Sequence, residues 1–170
     1  MNRTELFAEV KSWLEAGKFA FVSEDDSVFR FRINADNGLF DVRVLCEDKP
    51  PMLQVCCPVP VRIPKDKVAQ TGLLLHNINA RLRIGAFQFH VDERVVDFRM
   101  TLPIQPEGEL AEQFALAVGT SISTMDDNLR ALGLLACSTP EARKAVAILS
   151  SSVPTVDLNP QTHAGRFELN

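Results

Sequence analysis

Apolar residues along this chain recur at two different spacings, which predict helices and strands in separate segments. Where they lie three or four residues apart, they predict amphipathic helices that begin near Asn2 and near Pro64 and that cover residues 109–132. Asn2 is a good N-cap residue, and Glu5 completes a capping box with it. Gly17 is the type of residue that ends a helix, because glycine tolerates a left-handed backbone.

In other segments apolar and polar residues alternate, which is the pattern of a strand with one buried face. Asn37-Gly38 separates two of these segments and predicts a tight hairpin, because both residues tolerate a positive φ. Pro58 and Pro60 cannot donate to a ladder, so the third segment ends there or continues along a sheet edge. The predicted strands cover residues 28–33, 39–46, 52–57, 86–91 and 94–102.

The order of these elements predicts an α+β fold. Short hairpin connections favour antiparallel pairing, and one apolar strand face favours helices on that side. We therefore expect a five-stranded antiparallel sheet with helices packed on one face, in the order α-βββ-α-ββ-α plus a C-terminal helical appendix from about residue 138. This predicts a single α+β domain at residues 1–149 and a polar C-terminal tail at residues 150–170.

The composition fits one globular domain, since the chain has 170 residues, of which 46% are apolar and 24% charged. Its net charge of −4 disfavours non-specific binding to phosphate backbones, so we expect no nucleic-acid partner. No apolar run reaches the roughly 18 residues of a membrane span, and polar residues follow Met1 where a signal peptide would be apolar. We therefore expect a cytoplasmic protein with no membrane partner.

The chain shows no motif that carries catalysis. It lacks the G-x-S-x-G elbow, the Walker A loop and the G-x-G-x-x-G dinucleotide loop. His76, His90 and His163 fall on a helix, a strand and the tail, and the cysteines have no zinc-site spacing. We therefore predict no enzyme activity, no catalytic residues, no cofactor and no metal site. We expect the four cysteines to be buried reduced thiols.

Some polar and aromatic positions invite a functional interpretation but are better explained as structure. Trp13 lies on the apolar stripe of the first helix, so we expect a core anchor. Asn79, near the end of the second helix, can bond the chain as it turns toward Gly85, and we favour this role over ligand binding. Asp126 and Asp127 are adjacent on the third helix and do not face each other, so a solvated helix face explains them.

The polar positions of the predicted strands carry an excess of arginine. Two interpretations stay open, namely a solvated face with weak cross-strand ion pairs and a docking surface for an acidic peptide. An RNA-binding sheet would need exposed aromatic residues for stacking, whereas every strand phenylalanine falls on the apolar set. The candidate docking residues are Arg30, Arg32, Arg43 and Arg99, with Asp41 and Asp97 between them.

A helix ending in asparagine, a Gly-x-Phe that opens a hairpin, and a strand that closes on Leu-Pro follow one another in the middle of the chain. These positions are Asn79, Gly85, Phe87, Leu102 and Pro103. In this motif the chain resembles the YbjN family, whose members are labelled bacterial sensory transduction regulators, over roughly residues 3–132. The resemblance implies a fold like that of type III secretion chaperones, which are small acidic dimers that hold a non-globular segment of a client protein. It implies no catalytic residue.

Together these observations favour a non-catalytic protein-interaction module, a homodimer with a chaperone-like or regulatory role. The expected partners are a second copy of the chain and a client protein or peptide that the sequence does not identify. The alternative is a small-ligand-sensing regulatory domain with a pocket between the sheet and the helices. An unrecognised enzyme would need titratable groups that converge in a cleft, and the linear sequence shows no such pair.

Overall fold

The computed structural model describes residues 2–104, 109–136 and 155–157. The predicted helical appendix from residue 138 and most of the predicted tail lie outside these residues. The helices are α1 (Arg3–Ala16), α2 (Val68–Asn79), which a short 3-10 turn precedes, and α3 (Leu110–Ala136). The strands are β1 (Phe21–Ser23), β2 (Val28–Asn34), β3 (Leu39–Asp48), β4 (Pro51–Arg62), β5 (Ala86–His90), β6 (Val95–Pro103) and β7 (Thr155–Asp157).

The strands form one sheet in the order β1-β2-β3-β4-β6-β5, and each neighbouring pair along this path is antiparallel. β7 also lies beside β2, in parallel, next to the end of β2 that β1 does not reach. The predicted α+β architecture is confirmed, whereas the prediction of five strands is wrong because it omits β1 and β7. Each of these has only three residues, which is too short to show an alternating pattern.

β4 continues through Pro58 and Pro60 and is therefore longer than the predicted strand of residues 52–57. Its pairing with β3 ends at Cys56, and no other strand of the described residues lies on that side of β4 beyond this point. On its other side β4 stays paired with β6, with a register shift between Pro58 and Arg62. Proline, which lacks an N–H, is tolerated at an open side and at irregular pairing. The expectation that this strand continues along an edge is thus met on the β3 side.

Helices α1 and α3 pack on the apolar face of the sheet and form the core with it. Phe7 of α1 stacks on Phe29 with ring centroids 4.1 Å apart, and Trp13 meets Phe114 of α3 edge-on at 4.8 Å. Trp13 therefore packs against the core, as predicted. The buried strand side chains on this face include Phe29, Phe31, Ile33, Phe40, Val42, Val44, Leu53, Val55, Val96, Phe98 and Met100.

The predicted capping box at the start of α1 is confirmed. Asn2 Oδ1 accepts a hydrogen bond from the Glu5 N–H at 3.0 Å, and the Glu5 carboxylate accepts one from the Asn2 N–H at 2.9 Å. At the other end Gly17 has a φ of −73°, and the left-handed residue is Lys18 with a φ of 57°. A Cβ at Gly17 would lie 2.5 Å from Phe19 Cε2. Glycine is therefore needed here for space and not for a left-handed backbone.

The β2–β3 hairpin forms at Asn37-Gly38 as predicted, although neither residue has a positive φ. The hairpin turn is bound to α3, because the Asp126 carboxylate accepts hydrogen bonds from the Asn37 backbone N–H and from Nδ2, both at 2.8 Å. The prediction of a merely solvated Asp126 is therefore wrong, while Asp127 is exposed. A Cβ at Gly38 would lie 2.6 Å from Leu129 Cδ2, so the glycine allows the turn to approach the helix.

Candidate protein-docking site

The polar face of the sheet carries arginine side chains in one line. The strand registers pair Arg30 with Arg43, Arg43 with Cys56, and Cys56 with Arg99, so these residues follow one another across β2, β3, β4 and β6. Alternate residues of a strand share a face, which places all of them opposite the core. We call Arg30, Arg43 and Arg99 the arginine row. Their side chains are 33%, 46% and 34% exposed, so solvent or a partner can reach each of them.

Arg30 and Arg43 lie directly opposite each other across β2 and β3. Like charges in this arrangement destabilise a sheet unless a counter-charge lies between them. Glu24 supplies that counter-charge: one carboxylate oxygen lies 3.0 Å from Arg30 Nη1, and the other lies 3.1 Å from Arg43 Nη2. One carboxylate therefore holds two guanidinium groups side by side.

Glu24 lies in the turn between β1 and β2, whose shape is set by local hydrogen bonds. Asp25 Oδ1 accepts hydrogen bonds from the Ser27 N–H and from the Ser27 hydroxyl, both at 2.7 Å. The Ser23 hydroxyl donates to the Asp25 carbonyl at 3.0 Å. The bonds from Ser27 lower the pKa of the Asp25 carboxyl from its ordinary value. This side-chain-closed turn positions the neighbouring Glu24 against the arginine pair.

Arg99 lies at the other end of the arginine row, beside Asp97. Arg99 Nη2 is 3.6 Å from Asp97 Oδ2, which is a loose ion pair, and His90 Nε2 is 3.3 Å from Asp97 Oδ1. In the part of the chain that the structure describes, Nε of Arg30 and Nε of Arg99 are buried and have no hydrogen-bond partner. Buried donors in folded proteins are nearly always satisfied, so these two Nε groups are exceptions within the described part of this face.

Arg32 differs from the arginine row, although the sequence places it on the same face. It is 1% exposed, its Nε donates to Asp41 Oδ1 at 2.8 Å, and the two residues are direct cross-strand partners. Removing one partner of a buried ion pair is strongly destabilising, because the other charge stays in a poorly solvated place. Arg32 therefore belongs to the buried part of the polar face and not to its accessible surface.

The cysteines divide between the two faces of the sheet. Cys46 and Cys57 lie in the core, whereas Cys56 lies beside Arg99 on the polar face. Burial raises the pKa of the Cys56 thiol, which the Arg99 guanidinium lowers to a smaller extent, and burial raises the pKa of Cys46 to about 12. These cysteines are buried free thiols, as predicted, and Cys137 lies outside the described residues.

Asn79, Gly85 and Phe87 connect the end of α2 to β5. Asn79 Nδ2 donates to the Phe87 carbonyl at 2.9 Å, and Asn79 Oδ1 accepts from the Phe87 N–H at 2.8 Å. The side-chain amide of Asn79 therefore makes the two backbone hydrogen bonds that a neighbouring strand would otherwise make with Phe87. Gly85 has a φ of 71°, and a side chain at this position would overlap the Phe98 ring. Pro103 ends β6. These contacts support the structural interpretation of Asn79.

The sequence analysis missed Glu24 as a member of the site. Its partner Arg43 is 19 residues away, and no spacing rule connects a turn residue with a position on the second strand that follows. Charge is the signal that could have found it. Glu24, Asp25 and Asp26 form an acidic run directly before the strand that carries Arg30.

Within the described residues, no group of three or more His, Cys, Asp or Glu side chains is arranged to hold a metal ion. No helix in this part of the chain is long and apolar enough to cross a membrane. His76 lies on α2 and His90 on β5, while His163 lies outside the described residues. What the polar face offers chemically is the recognition of carboxylates by guanidinium donors.

The chain matches known proteins at the level of a family and of solved structures. The model of the YbjN family, described as "Putative bacterial sensory transduction regulator", matches residues 7–134. No curated protein matches the chain.

Three solved structures show how far the fold likeness extends. The crystal structure of YbjN from E. coli, "a putative transcription regulator", is 18% identical with a TM-score of 0.55, and the match covers 74% of this chain and 90% of that chain. The ExsC-ExsE complex is 14% identical with a TM-score of 0.49, covering 82% and 100%. The HopA1-SchA chaperone-effector complex is 12% identical with a TM-score of 0.48, covering 77% and 96%. The first match shows the shared fold.

Proposed function

The chain belongs to the YbjN family, and on this basis we propose that it is a non-catalytic protein-interaction module whose arginine row binds an extended acidic segment of a client protein. A protein-interaction or regulatory role agrees with the family match. The observation that carries the proposal is the alignment of Arg30, Arg43 and Arg99 across neighbouring strands. The cytoplasmic location and the absence of a nucleic-acid partner stay predictions.

Guanidinium groups bind carboxylates through paired, planar hydrogen bonds, which favours an acidic partner over an apolar one. The side chains of Arg30, Arg43 and Arg99 are 33%, 46% and 34% exposed, so an acidic partner can reach all three guanidinium groups. The local charge also opposes that of the whole chain, which has a net charge of −4. The three arginines of the row stand against two neighbouring carboxylates, those of Glu24 and Asp97.

The spacing of the arginine row suits an extended peptide that crosses the strands. Neighbouring strands lie about 4.8 Å apart, so the row extends over roughly 14 Å from β2 to β6. An extended peptide presents alternate side chains on one side at intervals of about 7 Å. Acidic residues at alternate positions of such a peptide can therefore reach the whole row through the long arginine side chains.

A fluorescence-anisotropy titration with a labelled peptide of alternating glutamate and serine tests this surface. We expect binding that weakens as salt is added, because exposed charges are screened. Arg43→Gln is expected to weaken binding roughly 5- to 30-fold, since a hydrogen bond to a charged group contributes about 1–2 kcal/mol.

Arg130→Gln is the matched control, because it removes an exposed arginine of α3. A peptide of alternating glutamine and serine controls for the charge of the ligand. If Arg43→Gln binds the acidic peptide as tightly as the native chain and Arg130→Gln do, the arginine row is not the docking surface.

We further propose that the module is a homodimer in which a second copy packs against α2. The buried residues of α2 are Thr71 and Leu75, while Leu73 on the same helix is 64% exposed. In a two-fold dimer the same surface of each copy contacts the other, so one exposed leucine can meet its own symmetry mate. Light scattering is expected to show a dimer for the native chain and a monomer for Leu73→Glu. A monomeric native chain would contradict the proposal.

A further inference from the structure

The outer edge of β2 shows a feature that the arginine row does not explain. The Cys46 N–H donates to the Ser27 carbonyl at 2.8 Å, and the Ala35 N–H donates to the Gly38 carbonyl at 2.9 Å. In an antiparallel pair, hydrogen-bonded and non-hydrogen-bonded residue pairs alternate. These two bonds therefore determine which residues of β2 are hydrogen-bonded to β3 and which face away from it. The residues of β2 that direct their backbone N–H and C=O away from β3 are therefore Val28, Arg30, Arg32 and Asn34.

One half of this outer edge is covered by the residues that precede β2 in the chain. β1 pairs with β2 so that Val22 lies opposite Arg30, and the Glu24 N–H donates to the Val28 carbonyl at 3.0 Å. The pairing of β1 reaches no further than Phe31. The outward backbone groups of Arg32 and Asn34 lie beyond it.

β7 covers the other half of the edge. Its residues pair in parallel with β2, with Thr155 beside Arg32, Val156 beside Ile33 and Asp157 beside Asn34. Because Arg32 and Asn34 direct their backbone groups outward, Val156 is the residue whose own N–H and C=O face them. A single residue of β7 thus closes this half of the edge.

β7 comes from outside the domain that defines the family. The family match ends at residue 134, and the matched residues that the structure describes contribute no strand to the edge at Arg32 and Asn34. An uncovered edge strand is a template for pairing with another chain. In the described residues, the strand that lies beside Arg32–Asn34 at this edge is therefore supplied by residues 155–157, which follow the matched segment.

We propose that the β2 edge at Arg32–Asn34 is a strand-acceptor site for an extended segment of a client protein, and that residues 155–157 occupy it as an internal competitor. This rests on the proposed function, since it names where the client adds its strand. A strand of three residues is short, so a longer client segment can displace it. Residues 137–154 tether the competitor to α3, which keeps it at a high local concentration and lowers the apparent affinity of a client.

The register also indicates the chemistry of the client segment. Val156 is aligned with Ile33, which is fully buried, while Thr155 and Asp157 are aligned with the neighbouring positions. A segment with an aliphatic residue between polar or acidic ones matches this register. Its acidic residues would share the polar face with the arginine row.

Hydrogen exchange of Val156→Pro, with Val156→Ala as the matched control, tests the site. Proline has no N–H and cannot pair with the edge, whereas alanine keeps the backbone bonds. We expect the Asn34 amide, whose N–H faces the Val156 carbonyl, to exchange at least about tenfold faster in Val156→Pro and at the native rate in Val156→Ala. Native exchange rates at the β4–β6 pairing in both variants would show that the fold is intact. Deletion of residues 155–157 is a second variant with the same expectation.

A synthetic peptide of residues 151–163 is the probe for strand addition. We expect it to bind Val156→Pro at least about tenfold more tightly than the native chain, because the internal competitor is disabled, and to restore slow exchange at the Asn34 amide. The same peptide with proline in place of Val156 is expected not to bind. Unchanged exchange at the Asn34 amide in Val156→Pro, or equal affinity of the peptide for both chains, would overturn the proposal.

The readouts separate this proposal from the arginine-row proposal. Strand addition is read at the Asn34 amide and is expected to survive Arg43→Gln, because Arg43 does not lie at the β2 edge. Binding of the glutamate–serine peptide depends on Arg43. If the native chain does not bind the glutamate–serine peptide but strand addition is observed, the arginine-row proposal fails and the strand-acceptor proposal stands.

Discussion

The two faces of the sheet are made by alternate residues of the same strands, yet they are held by different interactions. On the core face Phe29 and Phe31 are fully buried and pack with the rings and aliphatic side chains of the helices. On the polar face Arg30, which lies between them in the chain, stays one-third exposed and is held by Glu24. Close packing makes the first face sensitive to volume, whereas the second face depends on charge pairs that can exchange partners.

One pair on the polar face behaves like the core. Arg32 and Asp41 are 2% and 13% exposed in their side chains, and they form a direct hydrogen-bonded ion pair. This pair sits next to the arginine row, whose members are about a third to a half exposed. The contrast shows that the polar face has a buried structural part and an accessible part, and that the arginine residues divide between them.

The largest effect is expected from breaking the core face with Phe31→Ala. Removal of a fully buried phenylalanine is expected to lower the free energy of unfolding by about 3–5 kcal/mol, through lost burial and the cavity left behind. Urea unfolding followed by circular dichroism measures this change. Phe21→Ala is the matched control, because Phe21 is the cross-strand partner of Phe31 on β1 and is only partly buried. Equal losses for both variants would mean that burial does not distinguish the positions.

A smaller loss is expected when the buried part of the polar face is broken with Asp41→Asn. The free energy of unfolding is expected to fall by roughly 2–3 kcal/mol, because Arg32 loses the charge of its partner but keeps an amide acceptor nearby. The double variant Arg32→Met with Asp41→Leu is expected to recover most of this loss, since it removes both charges. A change below about 0.5 kcal/mol for Asp41→Asn would place this pair with ordinary surface ion pairs.

The neighbouring cysteines Cys56 and Cys57 allow both faces to be compared in one experiment. Cys56 faces the polar side and is 9% exposed, whereas Cys57 is fully buried in the core. We expect iodoacetamide to label Cys56 roughly tenfold faster than Cys57 in the folded protein, as read by fragment mass spectrometry. Burial raises the pKa of Cys56 above 9.0, so its labelling rate is expected to keep rising beyond that pH as the thiolate forms. Faster labelling of Cys57 would reverse the assignment of faces.

The smallest effect on stability is expected from Glu24→Gln, which tests how the accessible part of the polar face is held. The free energy of unfolding is expected to change by less than about 0.5 kcal/mol, because both ion pairs are exposed. The affinity for the glutamate–serine peptide is expected to rise roughly threefold, since Arg30 and Arg43 lose a competing carboxylate. Asp26→Asn is the control, because Asp26 pairs with Arg3 and not with the row. Weaker peptide binding by Glu24→Gln would mean that Glu24 organises the arginine pair for its ligand.

Much of the local structure could be predicted because it depends on residues that are close in sequence. The capping box of Asn2 and Glu5 spans one helical turn, and its hydrogen bonds form as predicted. Alternation along β2 assigned Phe29 and Phe31 to one face and Arg30 to the other, as the register shows. The motif that carries the family resemblance is equally local, since Asn79 bonds Phe87 only eight residues away.

The site could be predicted only in part, because its arginines differ in burial and in cross-strand partner. The alternation of apolar and polar residues along a strand does not encode either difference. Arg30 and Arg32 occupy equivalent positions in the strand pattern, yet Arg30 lies opposite Arg43 and Arg32 lies opposite Asp41. The partner across the sheet therefore decides which arginine is accessible and which is buried. Glu24 was missed for the same reason, as its role depends on two strands that meet beside a turn.

Local sequence patterns predicted the helices, the longer strands, the division of each strand into an apolar and a polar face, and the family. These features follow from spacings of two to four residues and from turn and cap residues, which act within one short segment. Three contacts became visible only in the folded structure: β4 lies beside β6, Asp126 holds the Asn37 turn, and residues 155–157 complete the edge of β2. Each of these contacts joins residues far apart along the chain, so it exists only when the folded backbone brings both partners to the same place.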